Sequence, residues 1–152
     1  MGSSISQGLA ELTLRKIEEI AFSIAPMVPS FYKRYVDDGF TAWEGQKTDI
    51  VSFVDTLSSI QPTIKFTIEF ENDAQKLPYL DVLIAKSEGS FVCSIYRKPT
   101  HNDRYLPYDS YQPEYVKRGV VISLVDRAIK ICDEALLDDE LCHIRDGLFG
   151  NK

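Results

Sequence analysis

The 152 residues are 44% hydrophobic and carry a net charge of −6. This composition excludes a disordered chain, and no apolar run nears the roughly 20 residues that a membrane span needs. The length suits one domain or two small subdomains, and three scattered cysteines, Cys93, Cys132 and Cys142, fit a soluble chain in a reducing, intracellular setting rather than a disulfide framework.

In chain order, residues 5–24 are predicted to form an amphipathic helix. Ile5, Leu9, Leu12, Ile17, Ile20 and Ile24 recur at helical spacing, with Glu11, Arg15, Glu18 and Glu19 on the wet side. Pro26 and Pro29 stop it. Residues 31–43 are apolar and aromatic but are broken by Asp37-Asp38-Gly39, the pattern of a hairpin with a tight turn. Thr48 caps a second helix with Ile50, Val51, Phe53, Val54 and Leu57 on one face. Ile64, Phe66, Ile68 and Phe70 then alternate with polar residues, which predicts a half-buried strand. Two more strands follow, at about 79–86 and 91–97, joined through Ser87-Glu88-Gly89-Ser90. Residues 97–113 have no period and contain Pro99, Pro107 and Pro113, so they read as an ordered loop. A helix follows, with Val116, Val120, Leu124 and Ala128 in one row and Val121, Val125, Ile129 and Cys132 beside it. A shorter helix spans 138–148. The fold class is α+β, with a helical C-terminal part. Trp43 is expected to pack near the base of the first hairpin.

The charge is uneven. Residues 1–90 hold 8 Lys and Arg against 13 Asp and Glu, residues 91–131 hold 7 against 4, and residues 132–152 hold 2 against 6. A basic stretch within an acidic chain fits a surface that tracks phosphates, and it also fits ordinary scatter. The adjacent carboxylates of Asp37 and Asp38 likewise have two readings. One is a solvated turn. The other is a divalent-metal site, because neighbouring carboxylates repel unless a cation lies between them. In the run from Tyr96 to Tyr105, Arg97, Lys98 and Arg104 supply charge while Tyr96, His101 and Tyr105 supply flat rings. That mixture suits a nucleic-acid strand or a solvated loop with inward tyrosines. Lys117 and Arg118 fit either phosphate contact or a wet helix face. His101, Cys132, Cys142 and His143 lack zinc-ligand spacing, and no zinc is expected.

Tyr35-Val36-Asp37-Asp38 resembles the [Tyr/Phe]-x-Asp-Asp box of reverse transcriptases. Met1-Gly2-Ser3-Ser4-Ile5-Ser6 resembles the motif that precedes that box and opens a helix beside the nucleotide pocket. Leu77-Pro78-Tyr79-Leu80-Asp81-Val82 sits where the family has its primer-grip hairpin. Tyr96-Arg97-Lys98-Pro99-Thr100-His101-Asn102-Asp103-Arg104-Tyr105-Leu106 is similar to a run in reverse transcriptases of Penelope-like retroelements. Lys117-Arg118-Gly119-Val120-Val121 and Arg127-Ala128 continue the resemblance into the thumb, a segment also described in animal proteins as a helix-turn-helix domain.

The resemblance implies a partial palm over 1–97 and a basic loop with a helical thumb over 98–152. It implies two-metal nucleotidyl transfer with Mg²⁺ or Mn²⁺, with Asp37 as shared ligand and Asp38 as a weaker ligand or structural acid. Gly2, Ser3, Ser6 and Tyr35 would lie by the nucleotide or template, and Leu77, Pro78, Tyr79, Leu80 and Asp81 would support the primer end. Arg97, Lys98, His101, Arg104, Tyr105, Lys117 and Arg118 would hold an RNA template and DNA primer. Nuclear work follows from the family. The family's other catalytic aspartate and its fingers precede the first of these motifs, so the chain alone is expected not to polymerise DNA. The unpaired edge of the 31–43 hairpin is expected to invite self-association. The competing readings are a non-catalytic nucleic-acid-binding helix-turn-helix or thumb module, and a scaffold with neither activity.

Overall fold

A computed structural model describes residues 4–87 and 89–150 of the chain. These residues form four helices and two small antiparallel sheets, a mixed α+β architecture. Two compact units divide the chain, Met1–Glu69 and Phe70–Lys152. Unit 2 therefore contains strands that the resemblance assigns to a palm ending at 97, together with the basic loop and the C-terminal helices.

Unit 1 contains α1 (Ser4–Ile24), β1 (Phe31–Tyr35), β2 (Asp38–Ala42) and α2 (Lys47–Ile60). Ile17 and Ala21 of α1 are buried against Phe53 and Leu57 of α2, with Trp43, Ile64 and Phe66 packed around them. Trp43 stacks at a tilt on Phe53, with ring centroids 5.7 Å apart. The predicted apolar stripe of α1 is only partly used, because Ile5, Leu9, Leu12 and Ile24 stay exposed. Glu18, assigned to the wet side by its periodicity, instead faces β1. The cap of α2 is also corrected. Gln46, not Thr48, occupies the cap position, and its N–H donates to Asp49 Oδ2 at 3.0 Å. An acid three residues on satisfies a free helix-end donor, which a hydroxyl inside the first turn cannot do.

Residues 64–70 form no strand. The alternation is real, since Ile64, Phe66 and Ile68 are half-buried between exposed neighbours. Their backbone is engaged elsewhere: Phe66 N–H donates to Ser58 Oγ at 3.0 Å and Ile64 N–H to Gln61 O at 3.0 Å. Period-two burial sets side-chain faces but does not by itself provide a neighbouring strand.

Unit 2 opens with β3 (Lys76–Tyr79), β4 (Val82–Ser87) and β5 (Ser90–Ile95), ordered β3-β4-β5. Periodicity suggested only two strands here. The third arises because Leu80 and Asp81 turn the chain, closing a hairpin at Tyr79↔Val82. Pro78 is tolerated because β3 is an edge strand. Residues 96–113 have no helix or strand, and α3 (Glu114–Ile131) and α4 (Glu134–Gly150) follow. Ile95, Ala128 and Ile144 form the core, flanked by Leu124, Leu137 and Leu148. The Val116–Ala128 row faces inward, while Val121 and Ile129 of the adjacent row are exposed. α4 is longer than its apolar pattern suggested, beginning at Glu134. The α3–α4 turn docks on β5 through Asp133, whose N–H donates to Cys93 O at 3.0 Å and whose carboxylate accepts the Cys93 N–H.

Candidate nucleic-acid interface

In unit 1, β1 and β2 present the Tyr35–Asp38 box at a hairpin tip. Tyr35 pairs with Asp38, leaving Val36 and Asp37 as the turn. Val36 has φ 55, a left-handed conformation that a β-branched residue rarely adopts. Arg34 stabilises it. Its Nη1 donates to Val36 O at 2.6 Å and to Glu11 Oε2 at 2.7 Å, and its Nε donates to Glu18 Oε1. Tyr32 OH also donates to Glu18 Oε1, at 2.7 Å. The Arg34 side chain is only 7% exposed and that of Glu18 13%. The hydrogen bond from Arg34 holds the Glu11 carboxyl below its usual pKa, and both acids push that of Arg34 up. The tip is thus pinned to α1 while Asp37 and Asp38 are exposed.

In unit 2, the same chemistry pins the basic loop. Arg97 donates through Nη1 to Glu140 Oε2 at 2.9 Å and through Nη2 to Oε1. Glu140 is 8% exposed, so α4 buries an acid in order to meet this loop. Asp103 forms a second anchor at φ 51. Its Oδ1 lies 3.0 Å from His101 Nε2 and 2.9 Å from His143 Nε2, and it accepts Tyr105 OH at 3.2 Å. Burial would raise the Asp103 pKa, but the hydrogen bond and charge of His143, helped by Tyr105 and His101, hold it below the usual range. Gly147 lets the loop approach α4, since a Cβ there would meet Tyr105 Cε2 at 3.1 Å.

Between the β3–β4 turn and this loop lies a cavity of about 350 Å³. Leu80 and Asp81 of the turn, Lys98, Thr100 and His101 of the loop, and Arg127 of α3 line it. Leu80 holds φ 53 at the turn. Three of the four left-handed non-glycine residues among the described residues, Val36, Leu80 and Asp103, therefore fall within the three sequence motifs. Such strain concentrates where a backbone shape is needed for function.

Several predicted contact residues already have partners. Arg97 is held by Glu140 and His101 by Asp103. Lys117 donates to Tyr108 O, with its ammonium 5.2 Å from the Tyr108 ring centroid. Arg118 pairs with Glu114 at 2.7 Å. Lys98 and Arg104 are exposed, and neither has an ion-pair partner among the described residues. Leu77, Pro78 and Tyr79 are half-buried in β3, Ser6 is exposed on α1, and Gly2 and Ser3 lie outside the described residues. Sequence reasoning did not single out Arg34, Asp103, Arg127, Glu140 or His143 as site residues. Glu11 and Glu18, seven residues apart on one helix face, were the available signal for Arg34. Nothing local marked Glu140.

Residues 104–152 match the model of a family described as the animal helix-turn-helix domain. The match covers the end of the basic loop, α3 and α4. No curated protein and no solved structure matches the chain. Among the described residues, no helix is long and apolar enough to cross a membrane.

Proposed function

We propose that this chain is a palm-and-thumb part of a Penelope-like reverse transcriptase whose own contribution is to hold a nucleic-acid strand on unit 2. The observation that carries this reading is the cavity shared by the Leu77–Asp81 hairpin and the Tyr96–Leu106 loop. A segment that resembles the primer-grip hairpin and one similar to the basic run of Penelope-like reverse transcriptases thus meet at one surface. The helix-turn-helix match supports nucleic-acid contact by the same unit. Anchoring by Glu140 and Asp103 sets the loop's shape in advance, so less ordering entropy opposes binding. Lys98 and Arg104 supply the outward charge.

Groove reading by α4, as in helix-turn-helix pairs that insert their second helix into DNA, fits poorly. The helix carries five acids and one arginine, which oppose a phosphate-lined groove. Loop and turn contacts to a strand backbone fit better.

In this reading Asp37 is the shared Mg²⁺ or Mn²⁺ ligand and Asp38 the weaker one. A two-metal site needs more carboxylates than these. Among the described residues, no group of three His, Cys, Asp or Glu is arranged to hold a metal. A further acid would have to join them, and the chain by itself does not extend a primer.

Fluorescence anisotropy with labelled single-stranded RNA, DNA and RNA–DNA hybrid tests the binding. The expected result is affinity that falls linearly with salt on a log–log plot. No affinity even at low salt would contradict it and favour a scaffold role. Template-dependent extension that disappears in Asp37→Ala would overturn the non-catalytic part. We also infer weak self-association through the open edges of the β1–β2 sheet. Sedimentation that does not change with concentration would contradict that inference.

A further inference from the structure

We infer that the unit 2 cavity is a phosphate subsite in which the Asp81 carboxylate occupies the anion position when no strand is bound. The inference rests on the strand-holding reading and names the chemical group that the site takes. Arg127 lines the cavity with its side chain 34% exposed, and its Nη1 lies 3.6 Å from Asp81 Oδ2. That distance is too long for a hydrogen bond, so the guanidinium is only loosely neutralised. Arg127 Nε is buried and has no hydrogen-bond partner among the described residues. Arg97 on the same wall is already neutralised by Glu140, whereas Lys98 has no acidic partner among the described residues. The cavity therefore offers two underused cations, with Thr100 and His101 as further polar groups, facing one acid.

That acid is the displaceable part. The Asp81 side chain is 66% exposed and sits on a two-residue turn next to left-handed Leu80. Its backbone carbonyl accepts Tyr96 N–H at 2.8 Å, which ties the turn to the loop whether or not the carboxylate is engaged. A phosphate oxyanion brings the fork of acceptors that a guanidinium prefers, and swinging an exposed carboxylate into water costs little. A volume of about 350 Å³ accommodates a phosphate with an attached nucleoside. The resemblance to a primer grip would have Asp81 support the bound strand. The geometry assigns it the opposite sign, as a competitor with phosphate for Arg127.

The test is titration of the full chain with inorganic phosphate and, separately, with a dinucleoside monophosphate that has one phosphodiester and no terminal phosphate, followed by calorimetry and by the Arg Nε–H resonances. Both ligands are expected to bind in the millimolar range and to shift the Arg127 resonance. Asp81→Asn should tighten both by about threefold, and Arg127→Gln should weaken both about tenfold. Asp81 is exposed, so its variant keeps the test decisive even if Arg127→Gln fails to fold. Unchanged or weaker binding in Asp81→Asn overturns the competitor role. Binding of inorganic phosphate without the diester overturns the assignment to a strand. Failure of the wild-type chain to bind longer oligonucleotides would count against the proposed function, whereas the inorganic phosphate titration judges the cavity by itself.

Discussion

The two units use one device to opposite ends. In each, a poorly exposed arginine is gripped by carboxylates from a helix and holds a strained, irregular segment in place. Arg34, held by Glu11 and Glu18 of α1, presents an acidic tip at Asp37 and Asp38. Arg97, held by Glu140 of α4, presents a basic loop with Lys98 and Arg104 outward. The comparison teaches that the charges a segment presents to solvent and the charges that hold that segment in place are different residues. Counting Lys and Arg over a motif overstates the number of phosphates it can meet.

The largest expected effect comes from breaking the unit 1 clamp. Arg34→Ala leaves the half-buried Glu18 without its cation and frees the Val36 carbonyl. It should cost about 3 kcal/mol or more. Trp43 is the sole tryptophan and lies in the unit 1 core, so its fluorescence in a urea titration reads this loss. An unchanged midpoint would show that the clamp is ornamental. Arg34→Lys should rescue little, because an ammonium cannot reproduce the forked contacts.

The matching change in unit 2 is Glu140→Ala, expected to cost about 3 kcal/mol by stranding Arg97, whose side chain is 20% exposed. Amide exchange in α3 and α4 should accelerate, with the loop at 97–106 losing protection first. If Arg97 simply turns to solvent and exchange is unaltered, the parallel between the units fails.

These clamps also mark the limit of what was legible in the sequence. Helices, the first hairpin and the irregular 97–113 segment follow from periodicity and proline, because those signals are local. The β3–β4 hairpin escaped periodicity, since Leu80 adopts a left-handed φ that no turn residue announces. The alternating 64–70 segment misled, because its neighbours are side chains of α2 rather than a strand. Glu140 pairs with an arginine 43 residues away. Only the fold brings them together, so the residues that shape the interface were the least visible in the sequence.

A smaller effect concerns pH. The folded-state pKa of Asp103 is depressed, so the stability it contributes is complete above its unfolded value, about 3.9. It is lost as pH falls through the lower folded value. Loop undocking should therefore begin below about pH 4, and Asp103→Asn should remove that part of the acid limb. Loop amide resonances between pH 5 and 2.5 read it, and an identical acid limb in the variant would contradict the anchor.

The most direct test of the central claim compares strand affinity between the two presented surfaces. Anisotropy of a labelled RNA–DNA hybrid is followed against salt for the wild-type chain, the Lys98→Ala/Arg104→Ala double variant and the Asp37→Asn/Asp38→Asn double variant. The expected result is weaker binding in the first variant, with a salt slope shallower by about 1 per cation removed, and affinity in the second variant that is no weaker than wild type. Binding that survives loss of Lys98 and Arg104 but falls with Asp37 and Asp38 would contradict the assignment of strand holding to unit 2.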